Sequence, residues 1–164
     1  MPEVYIAAGS NVRPRANLRR ALALLGEEFP GLASSPAYLN KATGFEGDDF
    51  INLVAAFRTE RPPADVVAAL KSVERALGRE RGGPKWGPRT LDLDLLLYGD
   101  RVGRFEGASL PHEDLATCAW VLGPLAAIAP TLRHPVTGET MGELWQRFDR
   151  AAHPLVETSL QGPD

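Results

Sequence analysis

The run Thr90-Leu91-Asp92-Leu93-Asp94-Leu95-Leu96-Leu97-Tyr98 constrains this chain more than any other stretch. Strict alternation is the mark of a β-strand, whose successive side chains leave opposite faces. Leu91, Leu93, Leu95 and Leu97 are therefore expected on one apolar face that belongs in a core. Asp92 and Asp94 are expected together on the other, about 7 Å apart at their Cα atoms from the rise of a strand. Leu96 and Tyr98 continue the aspartate face, so that face is at least half covered, and aspartate is a poor strand former. Two carboxylates held this close repel each other, and a bound divalent cation removes the penalty. Carboxylate and phosphate oxygens are the ligands Mg²⁺ prefers. Arg89 and Trp86 stand at the mouth of the same strand. Acid pair, guanidinium and indole together are what a magnesium–nucleotide site needs. The plainer alternative is an ordinary strand with a solvated face.

The rest of the chain gives this strand its setting. Val4–Ala8 reads as a buried first strand, and Pro14 opens a helix to about Phe29 with Leu18, Ala21, Leu22 and Leu25 on its apolar stripe. Strands are expected at 34–40 and 50–59, with a glycine-bearing loop between them. Pro62-Pro63 starts a second helix that buries Val66, Leu70, Val73 and Leu77 and stops at Gly78. At 100° per residue, Lys71, Arg75 and Arg79 fall on the side away from that stripe, with Glu74 between them. Residues 79–89 are too rich in Gly and Pro for regular structure. A turn at Gly99-Asp100 leads to a short return strand near 102–105, and helical segments are expected near 113–128 and 140–150. The order β-α-β-β-α-β points to an α+β fold, a ferredoxin-like α-β-α sandwich on a mainly antiparallel sheet with a C-terminal helical extension. No repeat or linker divides the 164 residues, so one domain is expected, with about 155–164 as a frayed tail.

Charge narrows the partners. The net charge is −3, against a chain built to coat nucleic acid. Between Lys71 and Arg89, however, lie Lys71, Arg75, Arg79, Arg81, Lys85 and Arg89 against only Glu74 and Glu80. A local basic stretch on an acidic chain suits one compact anion. No apolar run approaches the roughly 18 residues of a membrane span. The N-terminus lacks the pattern of a secretory signal, and the single Cys118 excludes an internal disulfide and a cysteine-based zinc site. A cytoplasmic setting follows as the expectation. Gly9-Ser10-Asn11 is not a P-loop, since the chain has neither G-x-x-x-x-G-K-[ST] nor G-x-G-x-x-G.

The run WGPRTLDLDLLLYG at 86–99 resembles the hallmark segment of the 6-hydroxymethyl-7,8-dihydropterin pyrophosphokinase family. YIAAGSN at 5–11, Phe50-Ile51-Asn52, Gly78-Arg79, Leu110-Pro111-His112 and VLGPLAAIAP at 121–130 follow in the family's order. The resemblance implies the same sandwich fold and an ATP-dependent diphosphotransferase of folate synthesis, monofunctional and expected as a monomer. Such an enzyme moves the β,γ-diphosphate of ATP to the pterin hydroxymethyl oxygen and releases AMP. It implies catalytic roles for Asp92, Asp94, Arg79 and Arg89, with the two aspartates holding two Mg²⁺ ions. It implies ATP contacts from Lys71, Glu74, Arg79, Arg81, Lys85, Trp86, Arg89, Leu95, Ser109 and His112. The pterin, 6-hydroxymethyl-7,8-dihydropterin, would meet Thr43, Gly44, Phe50, Asn52, Trp86, Asp92, Asp94 and Trp120. A flat heterocycle with donors and acceptors calls for stacking faces and an edge-pairing amide. Phe50 and Trp120 match the first and Asn52 the second. Gly9-Ser10-Asn11 would turn the chain beneath that pocket.

This chain departs from the family in several places. Cys118 and Gly107 stand where members carry arginines, Lys71 where some carry glutamine, and the 40–49 loop lacks the frequent proline. Two readings of other classes stand beside this one. A non-catalytic ferredoxin-like module binding nucleotide or single-stranded RNA would expose aromatics among bases. A two-metal nucleotidyl transferase would use the same acids.

Overall fold

The computed structural model describes residues 1–40, 49–78 and 91–164. Strand β1 (Glu3–Ser10) runs to helix α1 (Pro14–Glu28) through Arg13, which takes a left-handed φ of 44° to make the corner. Strands β2 (Ala33–Ser34), β3 (Ala37–Asn40) and β4 (Phe50–Arg58) lead to α2 (Pro63–Ala76), then β5 (Asp92–Tyr98). A hairpin, β6 (Gly103–Phe105) and β7 (Ala108–Leu110), precedes α3 (Ala119–Ile128), α4 (Met141–Arg147) and β8 (Val156–Thr158). The main sheet runs β5-β1-β4-β3-β8, every neighbouring pair antiparallel, with β2 also paired to β4. Its first four members give the β-α-β-β-α-β order of a ferredoxin-like sheet, as expected.

Two cores sandwich the sheet. Leu18, Ala21 and Leu25 of α1 and Val66, Leu70 and Val73 of α2 meet Ile6, Ile51, Leu53, Phe57, Leu93 and Leu95 on one face. Phe29 stacks on Phe57 at 4.0 Å between ring centres. On the other face, Val121, Leu122 and Leu125 of α3 and Met141 and Leu144 of α4 cover Tyr5, Val54, Leu96 and Leu97. Thr140 caps α4 by accepting the Glu143 N–H at 3.1 Å.

Several expectations are corrected. Leu97 does not share a face with Leu91, Leu93 and Leu95. The β1–β5 register slips between Tyr5 and Ile6, so that Tyr5 faces Leu97 while Ile6 faces Leu95. The extra residue, Leu96, makes a bulge that puts Leu96 and Leu97 in the α3 core and turns Tyr98 into the α1–α2 core. The strand expected at 34–40 is broken at Ser35-Pro36, where proline has no N–H to give; the Ser35 hydroxyl accepts the Val54 N–H instead, at 3.0 Å. The helix expected from 113 starts at Ala119, and that expected to 150 ends at Arg147. The last ten residues are not frayed. Val156–Thr158 pair with β3, because that strand's outer edge has unmet backbone groups.

Candidate active site

The aspartates sit at the tip of the sheet's edge strand. Asp92 and Asn52 both pair with Gly9, one from each side, and Asp94 and Val54 both pair with Ala7. Directly paired residues share a face, so Asp92, Asp94 and Asn52 all leave the α3 side of the sheet. With strands about 4.8 Å apart, Asp92 and Asn52 flank Gly9 about 10 Å from each other. Beyond Asn52 the row continues to Tyr38. Asp94 is exposed and Asp92 half-buried, backed by the buried Leu93 and Leu95.

Gly9 earns its place through contact, since a Cβ there would lie 2.4 Å from Asn52 Oδ1. The Asn52 side chain thus lies across the β1 backbone. Its amide donates from Nδ2 to Asn40 Oδ1, at 2.5 Å. Sequence reasoning missed Asn40; only the β3–β4 register, which sets Asn40 opposite Phe50, brings it there. Phe50 and Asn52 are two apart on β4 and face the same way. Trp120, in the first turn of α3, packs half-buried against the second core on that face. Beneath, Ser10 and Asn11 are buried as the chain turns, and the Asn17 amide donates to the Val12 carbonyl.

On the outer side of β5 opens a cleft of about 440 Å³. Lys71 and Glu74 of α2, Asp92 to Leu95, and Gly107 to Ser109 with Pro111, His112 and Glu113 line it. Glu74, expected on the side of α2 away from the apolar stripe and implied as an ATP contact, lines this cleft. It is buried, and its Oε2 accepts the Leu93 N–H at 3.0 Å, satisfying an edge donor between the two aspartates. The His112 N–H donates to the Leu96 carbonyl at 3.0 Å, tying the segment after β7 to β5. Its Nδ1 accepts the Asp114 N–H at 3.1 Å, which leaves Nε2 to carry the proton of the neutral ring. Gly107 turns with φ +88°, and a Cβ there would come 2.9 Å from Val67 Cγ1. An arginine at 107 therefore requires a different turn. Cys118, the other departure, brings no charge: burial, then the nearby Asp114, pushes its thiol pKa up.

Thr43 and Gly44, and Arg79, Arg81, Lys85, Trp86 and Arg89, lie outside the described residues. No group of three or more His, Cys, Asp or Glu side chains suited to a metal occurs among the described residues. Two carboxylates with phosphate oxygens completing the shell are nevertheless an ordinary Mg²⁺ donor set. The residues present fit the ion in that form.

An antiparallel ferredoxin-like domain carrying a carboxylate pair beside a polar cleft on one flank and an amide-and-aromatic surface on the other has the layout of a two-substrate phosphotransferase. Residues 5–130 match the model of 7,8-dihydro-6-hydroxymethylpterin-pyrophosphokinase (HPPK), and the chain belongs to that enzyme family. It is 41% identical over 137 residues to the 2-amino-4-hydroxy-6-hydroxymethyldihydropteridine pyrophosphokinase of Pseudomonas aeruginosa, covering 80% of this chain and 83% of that one. Identity to the Aquifex aeolicus protein of the same name is 35% over 145 residues, covering 87% and 90%. Among solved structures, an HPPK-DHPS in complex with substrates superposes with a TM-score of 0.69 at 13% identity, over 92% of this chain and 44% of that one. A Plasmodium falciparum HPPK-DHPS with pterin and p-hydroxybenzoate also gives 0.69 at 15% identity, over 89% and 43%. This chain spans less than half of those two, and at such identity they attest the fold alone. Among the described residues no helix is long and apolar enough to cross a membrane.

Proposed function

We propose that this chain transfers the β,γ-diphosphate of ATP to the hydroxymethyl oxygen of 6-hydroxymethyl-7,8-dihydropterin. The hydroxymethyl oxygen attacks Pβ and gives up its proton, the bond from Pβ to the α,β-bridging oxygen breaks, and AMP leaves with that oxygen. The observation that carries this reading is the common face of Asp92, Asp94 and Asn52, which sets an anion pair beside a ring-pairing amide. The Asn52 amide pairs the pterin edge while Phe50 and Trp120 offer ring faces for stacking. That stations the hydroxymethyl arm near the aspartates, and positioning is the larger part of catalysis in phosphoryl transfer.

The cleft outside β5 takes the nucleotide. Lys71 and the His112 Nε2 donor line it, with Ser109 on the hairpin. Arg79, Arg81, Lys85 and Arg89 supply further positive charge, and Trp86 a ring face, from the segment between α2 and β5. Asp92 and Asp94 hold two Mg²⁺ ions bound with the nucleotide. When bound, Mg²⁺ supplies neutralisation of the charge on the phosphate oxygens. An RNA-binding module is disfavoured, because the described part of this cleft carries Glu74, Asp92, Asp94 and Glu113 against Lys71 and His112.

Product analysis tests the proposal. The protein with ATP, Mg²⁺ and 6-hydroxymethyl-7,8-dihydropterin is expected to yield AMP and the pterin diphosphate in equal amounts. Release of ADP, or of AMP with no pterin product, would overturn it.

A further inference from the structure

The chain beyond the family match makes its own contribution to the aromatic flank. From Leu155 to Asp164 it passes from one face of the sheet to the other. On the α3 face, Leu155 Cδ1 sits 2.8 Å from where a Cβ on Gly123 would stand, with Trp145 Cη2 at 3.1 Å. Gly123 lies within helical φ, so only this close approach requires it to be glycine. Val156–Thr158 then form β8 against β3, the strand that ends in Asn40. On the α1 face, Leu160 packs against the first core. There Arg15 donates to the Ser159 carbonyl and the Thr158 hydroxyl, both at 2.9 Å, and Arg19 donates to the Leu160 carbonyl. The Asp164 carboxylate accepts the N–H groups of Arg15 at 2.6 Å and Ala16 at 3.2 Å. It thereby caps a helix whose own N-cap, Arg13, supplies no side-chain acceptor.

Two site residues, Trp120 and Asn40, lie near this strap. Trp120 stands one helical turn before Gly123. Pro124, four residues on, has no N–H to donate to the Trp120 carbonyl, so the first turn of α3 is closed by the Leu122 N–H on the Cys118 carbonyl at 2.9 Å and not by a bond to Trp120 itself. Trp120 and Leu155 line the same mostly apolar, open pocket of about 330 Å³, together with Leu39, Asn40, Asp49 and Ala119 and the segment from Ala152 to Val156.

We infer that Leu155, seated on Gly123, is a positioning residue for Trp120, and that the strap sets the aromatic wall and Asn40 for the pterin. The inference rests on the pterin reading above. It names a part of the pocket that lies outside the segment matched to the family, at residues 5–130.

The test uses Gly123→Ala, Leu155→Ala and their combination in the full chain, with pterin Kd and KM measured beside those for ATP. Gly123→Ala pushes Leu155 off the helix and is expected to raise pterin Kd and KM about tenfold, with ATP KM and kcat within about twofold, the size of a displaced packing contact. Leu155→Ala is expected to cost about threefold in the same parameter. The double variant should bind better than Gly123→Ala alone, because the Leu155 part of the clash is gone and only the Trp145 ring, with Cη2 at 3.1 Å, must still give. Lower melting temperatures with pterin Kd unchanged in both single variants would overturn the inference. Should Gly123→Ala fail to fold, Leu155→Ala decides by the same split between pterin and ATP. Wild-type protein that binds no pterin would instead sink the proposed function, so the two failures are distinguishable.

Discussion

The two flanks of the acid pair are built in opposite ways. On the outer flank, the described side chains are mostly acidic, with Glu74, Asp92, Asp94 and Glu113 facing Lys71 and His112. A triphosphate meets repulsion there until cations arrive. On the inner flank, the polar group is locked before any substrate comes: Asn52 is pressed over Gly9 and bonded to Asn40. One flank is completed by the charges that enter with its ligand, and the other is finished by packing. Losses on the outer flank should therefore follow charge and appear in ATP parameters. On the inner flank they should follow volume and appear in pterin parameters.

The largest effect should come where the flanks meet. Asp92→Ala and Asp94→Ala are each expected to cut AMP formation by roughly 10³-fold or more, the scale for losing a principal electrostatic element of a transfer reaction. Both variants are expected to remain folded, as a cooperative melting transition would show. Chelation of Mg²⁺ should abolish wild-type activity equally. A variant retaining a tenth of the wild-type rate would detach the acid pair from the chemistry.

Next comes Gly9→Ala, which sharpens the packing side. The new methyl must displace the Asn52 amide. Losing a preset hydrogen-bonding group costs about 1–3 kcal/mol, so pterin KM should rise about 10- to 100-fold with ATP KM little changed. Equal increases in both would erase the distinction between flanks. His112→Ala follows, on the charge side, with ATP kcat/KM down about tenfold from one lost donor to phosphate and pterin KM unaffected.

How far the sequence could be read follows the same division. Asp92 and Asp94 were legible because strand alternation is local, whereas Asn52 was read as a pterin contact only through the family resemblance. The β5 bulge was not legible, because Leu95-Leu96-Leu97 reads identically with or without a slipped residue; only pairing with Tyr5 and Ile6 decides it. The bond from Glu74 to Leu93 was not legible, because helical periodicity gives its direction but not the edge strand that meets it. Asn40 and Leu155 act across pairings and contacts that no spacing encodes. The tail read as frayed for want of periodicity, yet its order comes from Arg15, Arg19 and the open edge of β3, all distant in sequence.

Glu74 supplies the smallest effect and the finest probe of the comparison. Its carboxylate belongs to the outer flank by position but acts there through a backbone hydrogen bond, holding the Leu93 N–H between the two aspartates. Were its charge what matters, Glu74→Gln would behave like a charge loss and ATP parameters would fall tenfold or more. Were its role to hold the strand, glutamine would serve, because the side-chain carbonyl still accepts from Leu93. The charge-assisted part of the bond to Leu93 is then lost, roughly 0.5–1 kcal/mol, or about two- to fivefold in kcat/KM for ATP. Steady-state kinetics on Glu74→Gln beside Glu74→Ala separates the cases. Glutamine close to wild type with alanine clearly worse is the expected outcome, and equal losses in both would move Glu74 from the scaffold of β5 into the charge balance of the cleft.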